Sequence, residues 1–184
     1  VSLPGLWIAL PDDQVIRFWK TKDPYGGFSN FAPYPVEIDE HLWTTSEHYY
    51  QAMKFTDTRV QNMIWDADTP KLAAMLGRDK HVGTIRPDWE EVKLFFMWRV
   101  LHYKFLQHLN LRVALTETED KWIVEDSPHD YYWGAGKDDT GQNYLGQILM
   151  LLRGNIRGGV QEKVNGLHEV TIDEFNKKLE KEQG

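Results

Sequence analysis

The sequence predicts an α+β fold, predominantly helical, built as a single compact domain with a small N-terminal β-layer. Three observations lead there. The 184 residues are 41% hydrophobic and 27% charged, which suits one domain with a real core. Short runs of β-branched and aromatic residues fall before Thr45. After it, capped segments with helical spacing dominate.

In chain order, Pro4, Gly5, Pro11 and Asp12-Asp13 mark residues 1–14 as an extended, peripheral arm ending in a turn. Val15 to Trp19 reads as a strand, and Tyr34 to Ile38 with Leu42 to Thr44 as a hairpin around Asp39-Glu40. Thr44 and Glu47 form a capping box that starts a helix running to about Phe55. A helix is expected over residues 57–66. Thr69-Pro70 supplies the N-cap and N1 of another, which Gly77 ends. Asp88 and Glu91 repeat the capping pattern ahead of Val92, Phe95, Phe96, Val100 and Tyr103, giving a long helix to about Gln107. A short helix over 109–116 and a strand over 122–125 follow. Leu145, Ile148, Leu149 and Leu152 share one face of a helix beginning after Asn143, with Gly146 allowing close packing against the long helix. These elements divide the chain into the arm 1–14, a domain over 15–158, and an appendage over 159–184 with one short helix from Phe175 to Glu182.

The absence of cysteine excludes disulfides and thiol chemistry. With no signal peptide or apolar run of spanning length, the chain is expected to be cytoplasmic, without membrane partners. Lys plus Arg number 21 against 28 Asp plus Glu, and a formal charge of −7 argues against strong non-specific nucleic-acid binding. His102 and His108 lack the four-residue spacing of a helical metal pair, so no metal is expected.

Four stretches carry candidate chemistry. On the helix after Thr44, the residues Glu47, Tyr50, Gln51 and Lys54 are spaced to line one wall with a carboxylate, a phenol, an amide and an amine. Around Gly26-Gly27-Phe28-Ser29-Asn30-Phe31, two aromatics bracket Ser-Asn, facing a pocket or plugging the core. Arg78, Lys80 and Arg86 form a basic cluster suited to a phosphate or simply to solvent. Asp130-Tyr131-Tyr132-Trp133-Gly134-Ala135-Gly136 leads to a helix N-terminus near Asn143, an arrangement that offers backbone N–H groups to an anion or makes an ordinary turn. The run from Gly134 to Gly141 is more acidic than a phosphate cradle calls for.

Phe28-Ser29-Asn30-Phe31, Thr45 to Gln51 with Lys54-Phe55, Gly77-Arg78, Trp89, Asp130 to Gly134 and Asn143-Tyr144-Leu145-Gly146 together resemble the NADAR, or YbiA-like, family. The resemblance covers residues from about Val15 to Arg157. It implies a mainly helical α+β domain that hydrolyses N-glycosidic bonds without a cofactor. The substrate class implied is a nucleotide-like small molecule, either an early riboflavin-biosynthesis intermediate or ADP-ribosylated guanine. By the same resemblance the site falls on Glu47, Lys54, Asp130 and Trp133, with Phe28, Asn30, Tyr50, Gln51, Arg78, Trp89, Gly134 and Asn143 nearby.

The chemistry of these residues agrees. Breaking a C1′–N bond develops oxocarbenium character that a carboxylate stabilises, and the leaving base gains from protonation, roles open to Glu47 or Asp130. Lys54 offers a second route through attack at C1′ and imine formation. Trp133, Trp89 or Phe28 are placed to stack on the base. The rival expectation is a non-catalytic reader of ADP-ribose or NAD-like nucleotides.

Overall fold

The structure, a computed structural model, describes residues 5–158; the tail helix expected over 175–182 lies outside them. Two compact units make up the chain. Of the described residues, 5–25 together with 112–158 build one, and Gly26–Leu111 the other. Helices predominate over strands, as predicted, and the strands form two separate two-stranded sheets.

In the unit spanning 26–111, β2 (Val36–Ile38) and β3 (His41–Trp43) form the antiparallel hairpin, with Val36 opposite Trp43. Asp39 and Glu40 both take left-handed backbone conformations, with φ of 53° and 63°, which is the type I′ geometry that matches strand twist. Arg99 grips the Asp39 carboxylate through both terminal nitrogens at 2.8 and 3.0 Å and also donates to the Tyr49 hydroxyl.

At the centre of this unit lies α1 (Ser46–Ala52), every residue of which is buried. It packs against α2 (Thr58–Trp65), α3 (Pro70–Leu76) and α4 (Trp89–Gln107). The expected box between Thr44 and Glu47 does not form. Thr45 is the N-cap, its hydroxyl engages His48 Nδ1 at 2.8 Å, and the Glu47 N–H donates to the Asn30 carbonyl. Nor does the helix reach Phe55. Phe55 bridges to Ile85, and the Lys54 carbonyl accepts from the Arg86 N–H at 2.8 Å, which draws the chain out of the helix after Ala52.

Local signals set the starts of α3 and α4 differently. Thr69 caps α3 through its hydroxyl, with Pro70 at N1 as expected. Asp88 precedes α4 but gives both carboxylate oxygens to Arg86 instead of capping. Inside α4, Lys104 is fully buried and donates to the Ser29 carbonyl at 2.8 Å; burial drives its pKa down to about 7.

In the other unit, β1 (Val15–Phe18) pairs in parallel with β4 (Trp122–Glu125) and not with the hairpin. The described part of the arm, residues 5–14, is mostly exposed but not extended. It forms 3-10 turns at Leu6–Ala9 and Asp12–Gln14, and Trp7 is buried against Val124 and Ala135 with its indole N–H on Asp139. The division between the units falls within α5 (Leu109–Glu117). Closing the unit, α6 (Tyr144–Arg157) lies so near β4 that a Cβ on Gly146 would sit 2.0 Å from the Ile123 carbonyl oxygen.

Candidate functional site

Five of the sequence-derived site residues converge within the 26–111 unit. Gln51 Nε2 donates to Glu47 Oε1 at 2.6 Å, a short bond to a carboxylate that is only 5% exposed. One turn of α1 separates the two, as the spacing required. Beyond the helix end the Lys54 ammonium lies 5.7 Å from the centroid of Tyr50 and 5.9 Å from that of Trp89. Those two rings are themselves 5.2 Å apart, so together they make an aromatic seat for the amine. Lys54 Nζ donates to the Gly77 carbonyl at 3.3 Å, a long bond that leaves the amine loosely held.

Lys54 is half-buried, and its pKa is lowered. Burial is the main cause, the Glu47 carboxylate pulls the other way, the Arg78 guanidinium pushes it down further, and Glu90 opposes. Sequence reasoning passed over Glu90, a surface acid on the first turn of α4 whose field reaches Lys54. Of the three basic residues, Arg78 and Lys80 are exposed, while Arg86 is committed to Asp88 and lies over Phe96. His48 bridges Thr45 and the Ala67 carbonyl, a packed hydrogen-bonding residue as expected.

Two residues from the FSNF stretch divide. Phe28 is 1% exposed and packs edge-on against Phe105, so it belongs to the core and is closed to ligand stacking. Asn30 holds the Glu47 backbone, and its Oδ1 is buried with no hydrogen-bond partner.

Asp130, Trp133, Gly134 and Asn143 lie in the other unit. Asp130 Oδ1 accepts the N–H groups of Tyr132 and Trp133 at 2.9 and 2.7 Å, folding the loop around its carboxylate. Of the two alternatives for the loop before α6, an anion cradle or a turn, the hydrogen bonding favours the turn. The N–H groups of Asn143, Tyr144 and Leu145 donate to the carbonyls of Gly134, Tyr132 and Trp133, so the loop itself occupies the helix N-terminus. Asn143 is likewise structural: its amide accepts from the Glu125 N–H and donates to the Ile123 carbonyl, both at 2.9 Å. Gly134 is a packing position, where a Cβ would meet the Glu125 carbonyl oxygen at 2.9 Å. Trp133 is half-buried with Tyr132 set edge-on to it. Among the described residues no three His, Cys, Asp or Glu side chains are grouped to hold a metal ion, and no helix is long and apolar enough to cross a membrane.

Residues 17–157 match the NADAR domain. The chain belongs to the NADAR family. N-glycosidase YbiA of Escherichia coli (strain K12) is 44% identical over 141 residues, 77% of this chain and 88% of that protein. An N-glycosidase of Nostoc punctiforme is 43% identical over 77% of this chain and 92% of its own. A chloroplastic riboflavin biosynthesis protein, PYRR of Zea mays, is 38% identical over 81% of this chain, which corresponds to only 26% of that longer protein. The solved NMR structure of E. coli YbiA superposes with a TM-score of 0.75 at 38% identity, covering 91% of this chain and 99% of that one. The NADAR match includes Glu47, Lys54 and Asp130 and runs through both units.

Proposed function

We propose that this NADAR protein is an N-glycosidase that hydrolyses the bond between a base and C1′ of a ribose phosphate or ADP-ribose moiety. The observation that carries the reading is the pairing of a half-buried amine of lowered pKa with a carboxylate fixed by Gln51, both in one unit. Names of relatives support the reaction class, since two are called N-glycosidases and a third a riboflavin biosynthesis protein. Early riboflavin-pathway intermediates are therefore the first substrates to test, with ADP-ribosylated guanine as the second.

In the covalent route the neutral Lys54 amine forms a bond to C1′ as the C1′–N bond to the base breaks. The base leaves with a proton supplied by Glu47, and Lys54 gives up its own proton. Opening of the ribose ring then yields an imine between Lys54 and C1′, with the ring oxygen taking a proton, and water hydrolyses that imine to release the sugar. Because Gln51 donates to Glu47 Oε1, a proton carried by this carboxyl resides on Oε2. Tyr50 and Trp89 seat the amine, and exposed Arg78 is suited to a phosphate.

Purified protein is expected to release free base from one of the two substrate types by mass spectrometry, and Glu47→Gln to lose at least about a hundredfold in rate. Equal inertness of wild type and variant on both substrates would sink the reading, and tight nucleotide binding without turnover would favour a non-catalytic reader. Borohydride is expected to trap sugar on the wild type and not on Lys54→Ala; equal trapping removes Lys54 from the attacking role.

A further inference from the structure

We propose that Gly77 is a positioning residue for the Glu47 carboxylate, acting through Gln51 by having no side chain. The inference rests on the reading of Glu47 as the proton-transfer group.

A glycine just after a helix ordinarily serves a left-handed backbone, where other residues are strained. Gly77 has φ −68° and ψ −10°, right-handed values open to any L residue. Backbone freedom therefore does not account for it, but space does. A Cβ built on Gly77 would lie 2.1 Å from Gln51 Oε1, 2.8 Å from its Cδ and 2.9 Å from its Cβ. The Gln51 side chain thus rests directly on the bare Cα of Gly77.

This seat matters because of how Gln51 is held. Its Oε1 is buried without a hydrogen-bond partner, so no bond on the oxygen side fixes the amide. What fixes it is the 2.6 Å bond from Nε2 to Glu47 in front and the Gly77 surface behind. The same residue's carbonyl accepts from Lys54 Nζ, so the end of α3 meets both proposed reacting groups, one through its backbone oxygen and one through an empty space. A methyl at Gly77 leaves the carbonyl in place and evicts the Gln51 amide. Rotating the end of the side chain does not relieve the overlap at Gln51 Cβ, so the whole side chain must shift away from Glu47.

The test is a double-mutant cycle of Gly77→Ala and Gln51→Gly, the latter removing all three overlapping atoms. With whichever substrate the wild type turns over, Gly77→Ala is expected to lower kcat roughly tenfold or more, the range for losing a hydrogen bond to a charged group. In the Gln51→Gly background the same change should have no further effect. Equal loss in both backgrounds would show that Gly77 does not act through Gln51 and would overturn the proposal. If Gly77→Ala fails to fold, recovery of folding on adding Gln51→Gly supports the proposal and failure to recover overturns it.

A second readout needs no turnover. In nitrogen-edited NMR spectra the Gln51 side-chain amide is expected to exchange slowly in the wild type and to shift and exchange fast in Gly77→Ala, with most backbone signals unmoved. Unchanged Gln51 signals overturn the proposal. Shifted signals in a protein whose wild type cleaves neither substrate uphold the positioning and overturn the N-glycosidase reading instead.

Discussion

Lys54 is poised by opposing influences: burial and Arg78 disfavour its charge, and Glu47 and Glu90 favour it. The net lowering below 10.5 makes the neutral, attacking amine available at a lower pH than for a free lysine. Through the covalent route kcat should therefore rise with pH as Lys54 loses its proton. Replacing Arg78 with Met removes a downward push, so the rising limb of the pH–rate profile is expected to move to higher pH; an unmoved limb would contradict Lys54 as the attacking group. Lys104 allows a separate measurement. Its folded pKa is about 7 against 10.5 ordinarily, so between those values the unfolded chain holds a proton that the folded chain has released. Raising the pH across that window stabilises the fold; below it the penalty of the buried charge is fully present. Urea midpoints should rise more between pH 7 and 10 for the wild type than for Lys104→Met, and parallel slopes would show that Lys104 is not depressed. The grouping of Glu47, Tyr50 and Gln51 was legible in the sequence because it depends on helical spacing, whereas Lys54 lies past the end of α1, where the Arg86 N–H holds its carbonyl. The roles of Phe28 and Asn143 were not legible, since each is decided by a partner far along the chain, Phe105 for one and the β4 backbone for the other.

Among elements, those defined by local chemistry were read closely. Thr69-Pro70 started α3 where expected, and the strand over 122–125 matches β4. The Thr44–Glu47 box failed because the Glu47 N–H and carboxylate both had other partners, Asn30 and Gln51. The glycine-rich loop before α6 left an anion cradle and a turn both open because sequence shows available N–H groups and hides the carbonyls that consume them. The hairpin turn carries strain of its own, since Glu40 has φ 63° without being glycine. Glu40→Gly is expected to stabilise the protein by about 1 kcal/mol in chemical denaturation, whereas Asp39→Gly should not, because it also removes the grip of Arg99. If Glu40→Gly destabilises, the left-handed turn is not a source of strain.

For the whole molecule, residues 26–111 form a continuous unit inserted into a discontinuous one. Sequence reading assigned residues 1–14 to an outlying arm because Pro, Gly and Asp dominate its punctuation, and the single informative residue, Trp7, finds its partners Val124 and Ala135 more than a hundred positions away. Trp7→Ala should accordingly lower stability by about 3–5 kcal/mol, and a smaller loss, below about 1 kcal/mol, would show that Trp7 does not anchor the segment. This interleaving gives the chain a timetable. A ribosome adds about 5–20 residues each second, so β1 emerges several seconds before β4 exists. During that interval the Glu47–Lys54 unit has its full complement of residues while Trp7 and an unpaired strand edge stand open to chaperones and proteases. Nascent chains arrested after emergence of residue 111 should thus be nicked near Trp7 yet resist cleavage within 26–111, and protection of the first segment should arrive only once β4 and the loop after it have been made.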